Sequence, residues 1–300
     1  PKKAEIEIYP LMAAQVGYDF SAKAHLTSNL AIGGYLLANI GNKFSVSLKM
    51  LGVKTVLNNT SNSFVTPYHI IPGIGYAYKN NNDSIFPQYA YQYYTGYLSY
   101  TPNKIFNFQV GQDKNFFGDG YRSLFLSDVS APYPFLKITT TIWKLTYVNL
   151  YTIMKDVTNP SGAKKNWLTK YASFHYLGWN ATKRINIGLF ESIVWQGSDS
   201  LRHRGYDVNY LNPTLFFRPT EYSLGSSDNA FLGLSTKIKL FQKQQLYGPF
   251  LLDEFVLKNL LAQNGWWANK YGIQAGIKSF DVFTINRLNF QTEINYVRPY

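Results

Sequence analysis

The segment Arg287–Tyr296 reads R-L-N-F-Q-T-E-I-N-Y and alternates polar and apolar residues over its whole length. Side chains of neighbouring residues in a strand point to opposite faces. One face of this segment therefore carries Leu288, Phe290, Thr292, Ile294 and Tyr296. The other face carries Arg287, Asn289, Gln291, Glu293 and Asn295. Because so many polar groups cannot be buried in a dry core, we expect lipid on the apolar side and water on the polar side.

The same alternation recurs along the chain, although less cleanly. We count about 14 strand-like segments of roughly 8 to 12 residues, close to the ~9–11 that cross a bilayer at a tilt. Short links alternate with long ones: residues 40–42, 101–103 and 180–182 are short, and 52–88, 113–133 and 193–228 are long. Short turns at one rim and long loops at the other are typical of outer-membrane barrels.

The composition agrees with a membrane barrel. The chain has 300 residues, of which 46% are hydrophobic and 17% aromatic, and no apolar run is long enough for a spanning helix. A soluble all-β sandwich is the alternative, because it also favours aromatic residues. We predict an all-β fold: a transmembrane antiparallel β-barrel of about 14–18 strands with long extracellular loops. It forms one domain over residues 1–300, whose ends need not be complete, in the bacterial outer membrane.

The net charge of +12 is scattered singly along the chain. Scattered cations argue against a nucleic-acid-binding arm and fit a lumen, lipid or lipopolysaccharide phosphates, or an acidic polysaccharide. There is no cysteine, and no signal peptide follows Pro1. Catalytic and nucleotide-binding motifs are absent and the four histidines lack ligand spacing, so we expect no enzyme activity, no metal and no cofactor.

The stretch Gln112–Lys137 is the long segment richest in glycine, proline, aspartate and aromatic residues. A tight turn at residues 118–120 is predicted to present Lys114, Asn115, Tyr121 and Arg122. These donors, beside Phe116 and Phe117, suit an acidic sugar or a phosphate. The alternative is a loop that folds inward and plugs the lumen.

Two further groups of residues are candidates for ligand binding. Arg202 and Arg204 lie in the second irregular region, residues 193–228. This region has the same two interpretations: a loop that binds a ligand, or a loop that folds inward and plugs the lumen. Trp266 and Trp267 follow Asn264-Gly265 in a predicted turn. Their rings suit either stacking on a sugar or anchoring in the membrane interface.

Four motifs resemble the Wzi-type family of capsule-assembly outer-membrane proteins. They are G-D-G-Y-R-S-L-F-L-S at 118–127 with Ala131-Pro132, N-P-T at 212–214 with G-S-S-D-N at 225–229, L-Y-G at 246–248 with L-D-E at 252–254, and N-G-W-W-A-N-K-Y-G at 264–272. The last motif and the closing N-Y-V-R-P-Y look closer still to the Bacteroidetes branch, which is associated with gliding motility. The resemblance covers roughly residues 104–300.

The resemblance implies a barrel that binds surface or capsular polysaccharide without catalysis, in capsule assembly or gliding-motility machinery. Our prediction is therefore a non-enzymatic outer-membrane barrel that binds polysaccharide, with other envelope proteins as further partners. Two alternatives stay open. The polar face of the final strands fits a porin-like channel, and the fold also fits a structural subunit of a secretion or envelope complex.

Overall fold

The computed structural model describes residues 4–21, 23–80, 87–157, 167–198, 204–214, 228–253, 262 and 270–298. These ranges form one antiparallel sheet of 14 strands. In the described part of the chain, no helix has both the length and the apolar character needed to cross a membrane.

The strands of the large sheet follow one another in chain order, and each pairs with the strand before it. They are β1 (Ala4–Asp19), β2 (His25–Ile40), β3 (Phe44–Val56), β7 (Gln88–Tyr100), β8 (Phe106–Asp113), β9 (Tyr133–Ile142), β10 (Leu145–Lys155), β11 (Thr169–Trp179), β12 (Ile185–Gln196), β13 (Asn229–Leu240), β14 (Gln244–Leu252), β15 (Tyr271–Ser279) and β16 (Phe290–Arg298). No pairing joins β1 to β16 among the described residues, so these two strands are the edges of the large sheet, which we also call the wall.

Four small elements lie between β3 and β7. They are the helix α1 (Asn59–Tyr68), the two-stranded pair β4 (Ile70–Ile71) and β5 (Gly75–Tyr76), and β6 (Tyr78–Asn80), which pairs with β7. Helix α1 begins where the Asn58 side chain accepts a hydrogen bond from the Ser61 N–H at 2.7 Å, as a typical N-cap does. It ends at His69, whose left-handed backbone stops the helix.

The connections divide the sheet into a long-loop rim and a short-turn rim. Residues 41–43, 101–105, 143–144, 180–184, 241–243 and 280–289 connect the strands at one rim. Residues 57–87, 114–132, 156–168, 197–228 and 253–270 are the long connections of the other rim, which also has the short link 20–24. The predicted asymmetry between the two rims is therefore confirmed.

The two faces of the sheet differ in chemistry as predicted. On one face, which we call the outer face, large apolar side chains are exposed, including Met12 at 79% and Ile294 at 76%. The opposite, inner face of β16 carries Gln291, Glu293 and Asn295. An antiparallel sheet with this division is the architecture of bacterial outer-membrane barrels. The predicted fold class and location are confirmed.

Three predicted boundaries were wrong. The long link predicted at 193–228 begins only after β12, which extends to Gln196. The segment 52–88 is not all loop, because β3 extends to Val56 and α1 follows it. The last strand begins at Phe290, so Arg287 and Leu288 belong to the preceding turn. Arg287 has a left-handed backbone with φ 66°, and its N–H donates to the Asp281 carboxylate at 2.7 Å. The left-handed backbone and this hydrogen bond form a turn, although the side chains alternate as in a strand.

Candidate functional site

The connection of residues 114–132, which we call the inner loop, lies on the inner face of the sheet. Its backbone is closed at the base by the Phe117 N–H, which donates to the Leu126 carbonyl at 3.0 Å. At Gly118 the backbone has φ +145°, a conformation that suits glycine. The predicted turn at residues 118–120 therefore sits at the tip of a closed loop.

Aromatic side chains from both halves of the inner loop fasten it to the sheet. The Phe117 ring stacks on Tyr176 of β11 at 5.5 Å between centroids. The Phe125 ring stacks on Phe190 of β12 at 4.6 Å and is nearly parallel to it. Such pairs contribute about 0.5–1.5 kcal/mol beyond the area that they bury. The loop is therefore packed like part of a core.

Two glycines of the wall make room for the loop. A Cβ atom at Gly233 of β13 would lie 2.5 Å from the Phe125 ring, and one at Gly272 of β15 would lie 2.8 Å from Leu124. Any larger residue would push these loop side chains away from the wall. The sequence of β13 and β15 is thus matched to the loop that covers them.

Polar groups of β15 and β16 hold the loop backbone. The Tyr121 N–H donates to the Glu293 carboxylate at 2.9 Å. The Gln274 side-chain amide donates to the Arg122 carbonyl at 2.6 Å. Tyr247 of β14 donates its hydroxyl proton to Glu293 at 2.7 Å, which fixes the carboxylate. The polar face predicted for the last strands therefore binds the loop.

An ion pair ties the loop tip to β13. Lys237 Nζ donates to Asp119 Oδ1 at 2.8 Å, and neither side chain is more than a third exposed. Three residues of chain, about 10 Å at most, separate the contacts of Phe117 on β11–β12 from those of Gly120 on β15–β16. A sheet that bent away from the loop would put these strands out of reach. The inner face is therefore the lumen side. The sequence left open whether this loop presents ligand-binding residues or folds inward, and the structure shows it folded inward.

The four candidate residues of this loop have different surroundings. Asn115 is buried; its N–H donates to the Tyr133 hydroxyl and its amide oxygen accepts from Lys137, each at 3.2 Å. Lys114 is half-buried, and burial lowers its pKa against the opposing pull of the Asp128 and Asp113 carboxylates. Neither side chain is presented freely.

Tyr121 and Arg122, by contrast, are open to solvent. Tyr121 is 70% exposed, and the Arg122 guanidinium lies 4.6 Å from the centre of its ring. Arg122 also forms an exposed ion pair with Asp128 at 3.4 Å, which contributes little to stability. This aromatic and cationic pair is the part of the loop that is free to meet a solute.

Arg204 lies on the opposite side of the wall from the inner loop. Its guanidinium donates to Asp207 at 2.6 Å and to both carboxylate oxygens of Asp228, at 2.7 and 2.8 Å. Burial lowers the pKa of Arg204, but these hydrogen bonds outweigh it and the pKa is raised. Arg204 therefore holds residues 204–214 in place. Arg202, Trp266 and Trp267 lie outside the described residues, and the binding roles of all eight candidates stay predictions.

Sequence reasoning did not identify the partners of the inner loop, namely Lys237, Tyr247, Gln274 and Glu293. The alternation marks Gln274 and Glu293 as polar residues of the inner face, but nothing in the sequence pairs them with residues 119–122. In the described ranges, no group of three or more acidic or histidine side chains is placed to hold a metal ion.

No family model and no curated protein matches this chain. Several solved structures align with nearly the whole chain, at low identity and low TM-score. OccAB2 of Acinetobacter baumannii has a TM-score of 0.43 and 11% identity, covering 97% of this chain and 80% of its own. OpdQ of Pseudomonas aeruginosa has 0.38 and 12%, covering 98% and 82%. A BenF-like porin of Pseudomonas fluorescens has 0.34 and 8%, covering 99% and 94%.

Proposed function

We propose that this protein is a non-enzymatic, porin-like channel of the outer membrane, in which the inner loop narrows the passage. This proposal rests on the observation that the inner loop covers only one part of the inner face. The inner loop is fastened to β11–β16, whereas the inner face of β1 remains exposed at Glu5, Glu7 and Gln15. A passage between the loop and this open part of the wall fits both features.

The uncovered part of the inner face suits hydrated solutes. Tyr9 of β1 and Tyr35 of β2 stack at 6.3 Å, and the Ser47 hydroxyl of β3 donates to the Tyr35 hydroxyl at 3.4 Å. Lys49 of β3 lies 5.9 Å from the Tyr93 ring of β7. Hydroxyl, carboxylate and ammonium groups replace part of the hydration shell of a polar solute as it passes.

Conductance across a planar bilayer tests this proposal. The folded protein is expected to give discrete current steps that scale with salt concentration. A variant in which residues 116–126 are replaced by a short glycine–serine linker is expected to give larger steps, because the narrowing element is gone. Heat-modifiable migration in a gel verifies that both proteins are folded. A folded protein without conductance, whose linker variant conducts, contradicts an open channel and indicates a plugged barrel.

Polysaccharide binding is a second candidate function, favoured by the exposed pair Tyr121 and Arg122. An aromatic face beside a guanidinium group suits a sugar that carries a carboxylate. The resemblance to capsule-assembly proteins points the same way and stays a prediction, as do the roles in capsule assembly and gliding.

Retention on an immobilised acidic polysaccharide tests this second candidate. The double variant Lys114→Ala, Arg122→Ala is expected to elute earlier than the natural protein. The double variant Lys144→Ala, Lys183→Ala, which removes the same number of positive charges at the short-turn rim, serves as the control. Equal retention of all three proteins counts against the inner loop as a polysaccharide site.

A further inference from the structure

The six connections of the short-turn rim are strongly basic. Counted in the sequence, they contain seven lysine or arginine residues and a single acidic residue, Asp281. The five long connections of the opposite rim contain ten basic and ten acidic residues. The seven basic residues are Lys43, Lys104, Lys144, Lys183, Arg184, Lys243 and Arg287. The positive charge of the connections is therefore concentrated at one end of the wall.

These seven cations are open to solvent. All six connections lie within the described residues, and all seven basic residues are exposed. In these connections, Lys243 is the one cation that pairs with a carboxylate, that of Asp281 at 3.4 Å. Asp281 also accepts the Arg287 N–H at 2.7 Å, so its charge is used within its own turn. The carboxylates of Glu5 and Glu7, near the same rim, point to the inner face. The outward side of the rim therefore keeps its positive charge.

Aromatic side chains border these cations on the outer face. Phe44 is the first residue of β3 and Tyr100 is the last residue of β7, and their rings stack at 4.5 Å between centroids. Tyr100 in turn stacks on Phe108 of β8 at 6.5 Å. Trp179, the last residue of β11, and Phe290, the first of β16, are exposed at the same level. Aromatic rings collect at the interface between membrane and water, so this belt places the short-turn rim at that interface.

Three turns of this rim carry an aromatic residue at a left-handed backbone position. They are Trp143, Phe241 and Phe283, with φ 55°, 51° and 55° and exposed fractions of 76%, 80% and 83%. Tight turns in water favour glycine, asparagine or aspartate at such positions, because a bulky side chain is strained there. An exposed aromatic ring at this cost is explained where the interface receives it. The Lys144 ammonium lies 5.2 Å from the centre of the Trp143 ring, so one turn presents both kinds of group.

We propose that the short-turn rim binds the phosphate head groups of anionic phospholipids in the leaflet that surrounds it. The aromatic belt fixes the depth of the rim, and the cations lie just beyond the belt, at the level of the head groups. Lysine and arginine side chains at this level are attracted by an anionic leaflet over about one Debye length, ~8–10 Å.

The spacing of the cations favours lipid over a single acidic protein. Each of the six connections contributes at least one cation, so the charge follows the rim from the β2–β3 turn to the β15–β16 turn. Many small ligands around the perimeter match this distribution, whereas one protein would meet cations on one side only. This role is independent of whether the lumen conducts ions.

Spin-labelled lipids test the proposal. The folded natural protein is placed in phosphatidylcholine vesicles with a trace of spin-labelled phosphatidylglycerol or phosphatidylcholine, and the immobilised fraction of each label is compared. We expect a preference for phosphatidylglycerol of about threefold, which weakens at high salt. The triple variant Lys104→Gln, Lys144→Gln, Lys183→Gln is expected to lose most of this preference. Equal immobilisation of the two labels by the natural protein overturns the proposal.

A matched variant controls for net charge. Lys23, Lys54 and Lys79 are exposed lysines at the long-loop rim. Their triple change to glutamine removes the same charge and is expected to keep the preference for phosphatidylglycerol. Heat-modifiable gel migration verifies that all three proteins are folded. An equal loss of preference in both triple variants shows that net charge alone is responsible and overturns a site at the short-turn rim.

The depth of Trp143 provides an independent readout. Its fluorescence is taken as the difference between the natural protein and Trp143→Phe. We expect quenching by lipids that are brominated close to the head group, and weaker quenching by lipids brominated at the end of the acyl chain. Quenching by aqueous iodide alone places Trp143 in water and overturns the proposal.

Discussion

The ammonium nitrogen of Lys237 lies 2.8 Å from Oδ1 of Asp119, although 118 residues separate the two in the chain. Lys237 points inward from β13, and Asp119 lies at the tip of the inner loop. Burial of both side chains reduces the screening of this pair by water. The charge of Lys237 therefore contributes to the position of the loop tip, beside the hydrogen bonds from β15 and β16.

Lys237→Met is expected to loosen the loop tip and to increase the fluctuations of single-channel current, because the methionine side chain retains the packing but loses the charge. Asp119→Asn is expected to act in the same direction. The double variant should resemble either single one, since both remove the same contact. Lys144→Met, at the short-turn rim, is the control. If the effects of the two single variants add fully in the double variant, Lys237 and Asp119 do not interact directly.

Gly233→Ala is expected to destabilise the protein by about 1–3 kcal/mol, because the added methyl group displaces Phe125 from its stack with Phe190. Urea unfolding followed by heat-modifiable gel migration measures the change. Gly34→Ala is the matched control: it is also a strand glycine, and its added Cβ would meet its nearest neighbour, a carbonyl oxygen, at 3.7 Å. If both variants are equally stable, Phe125 is not held against β13.

Residues 204–214, which we call the strap, lie against β10–β12 and accept hydrogen bonds from Trp195, Tyr151 and Tyr147. Acidification is expected to release the strap. The pKa of Asp207 is lowered: burial raises it, but hydrogen bonds from Arg204 and Asn209 outweigh that effect. A carboxyl whose pKa falls on folding contributes stability that is present above its ordinary value of 3.8 and is lost as the pH falls through the lower folded value. Tryptophan fluorescence, taken as the difference between the natural protein and Trp195→Phe, should therefore change only below pH 3.8.

The same titration of Asp207→Asn provides the control for this prediction. Its strap is expected to be looser at neutral pH and to show a smaller change in acid. A transition centred well above pH 4 would show that a different group controls the strap.

Tyr147→Phe and Tyr151→Phe are each expected to cost about 1 kcal/mol, because each leaves one strap carbonyl without its donor. Limited proteolysis of the strap at neutral pH should detect the loss as faster cleavage. Tyr94→Phe removes a hydroxyl from an exposed outer-face position of β7 and should leave the cleavage rate unchanged. Unchanged cleavage in all three variants would show that the hydroxyls of Tyr147 and Tyr151 do not hold the strap.

The sequence predicted the wall well because strand alternation is a local signal. The polar and apolar faces of residues 290–296 follow directly from the period of two, and the exposed side chain of Ile294 confirms them. The alternation failed at Arg287, where a left-handed backbone and an Asp281 hydrogen bond form a turn. There, local hydrogen bonding prevailed over the side-chain pattern.

The chain by itself therefore determined that strands of alternating polarity form the fold and which of their faces meets lipid, because both depend on neighbouring residues. Only the tertiary structure decided that the inner loop lies in the lumen and that Arg204 fastens a strap outside the wall. Contacts such as Tyr121 with Glu293 join residues 172 positions apart. No periodicity reports such a contact, because the chain meets itself there only after the sheet has curved.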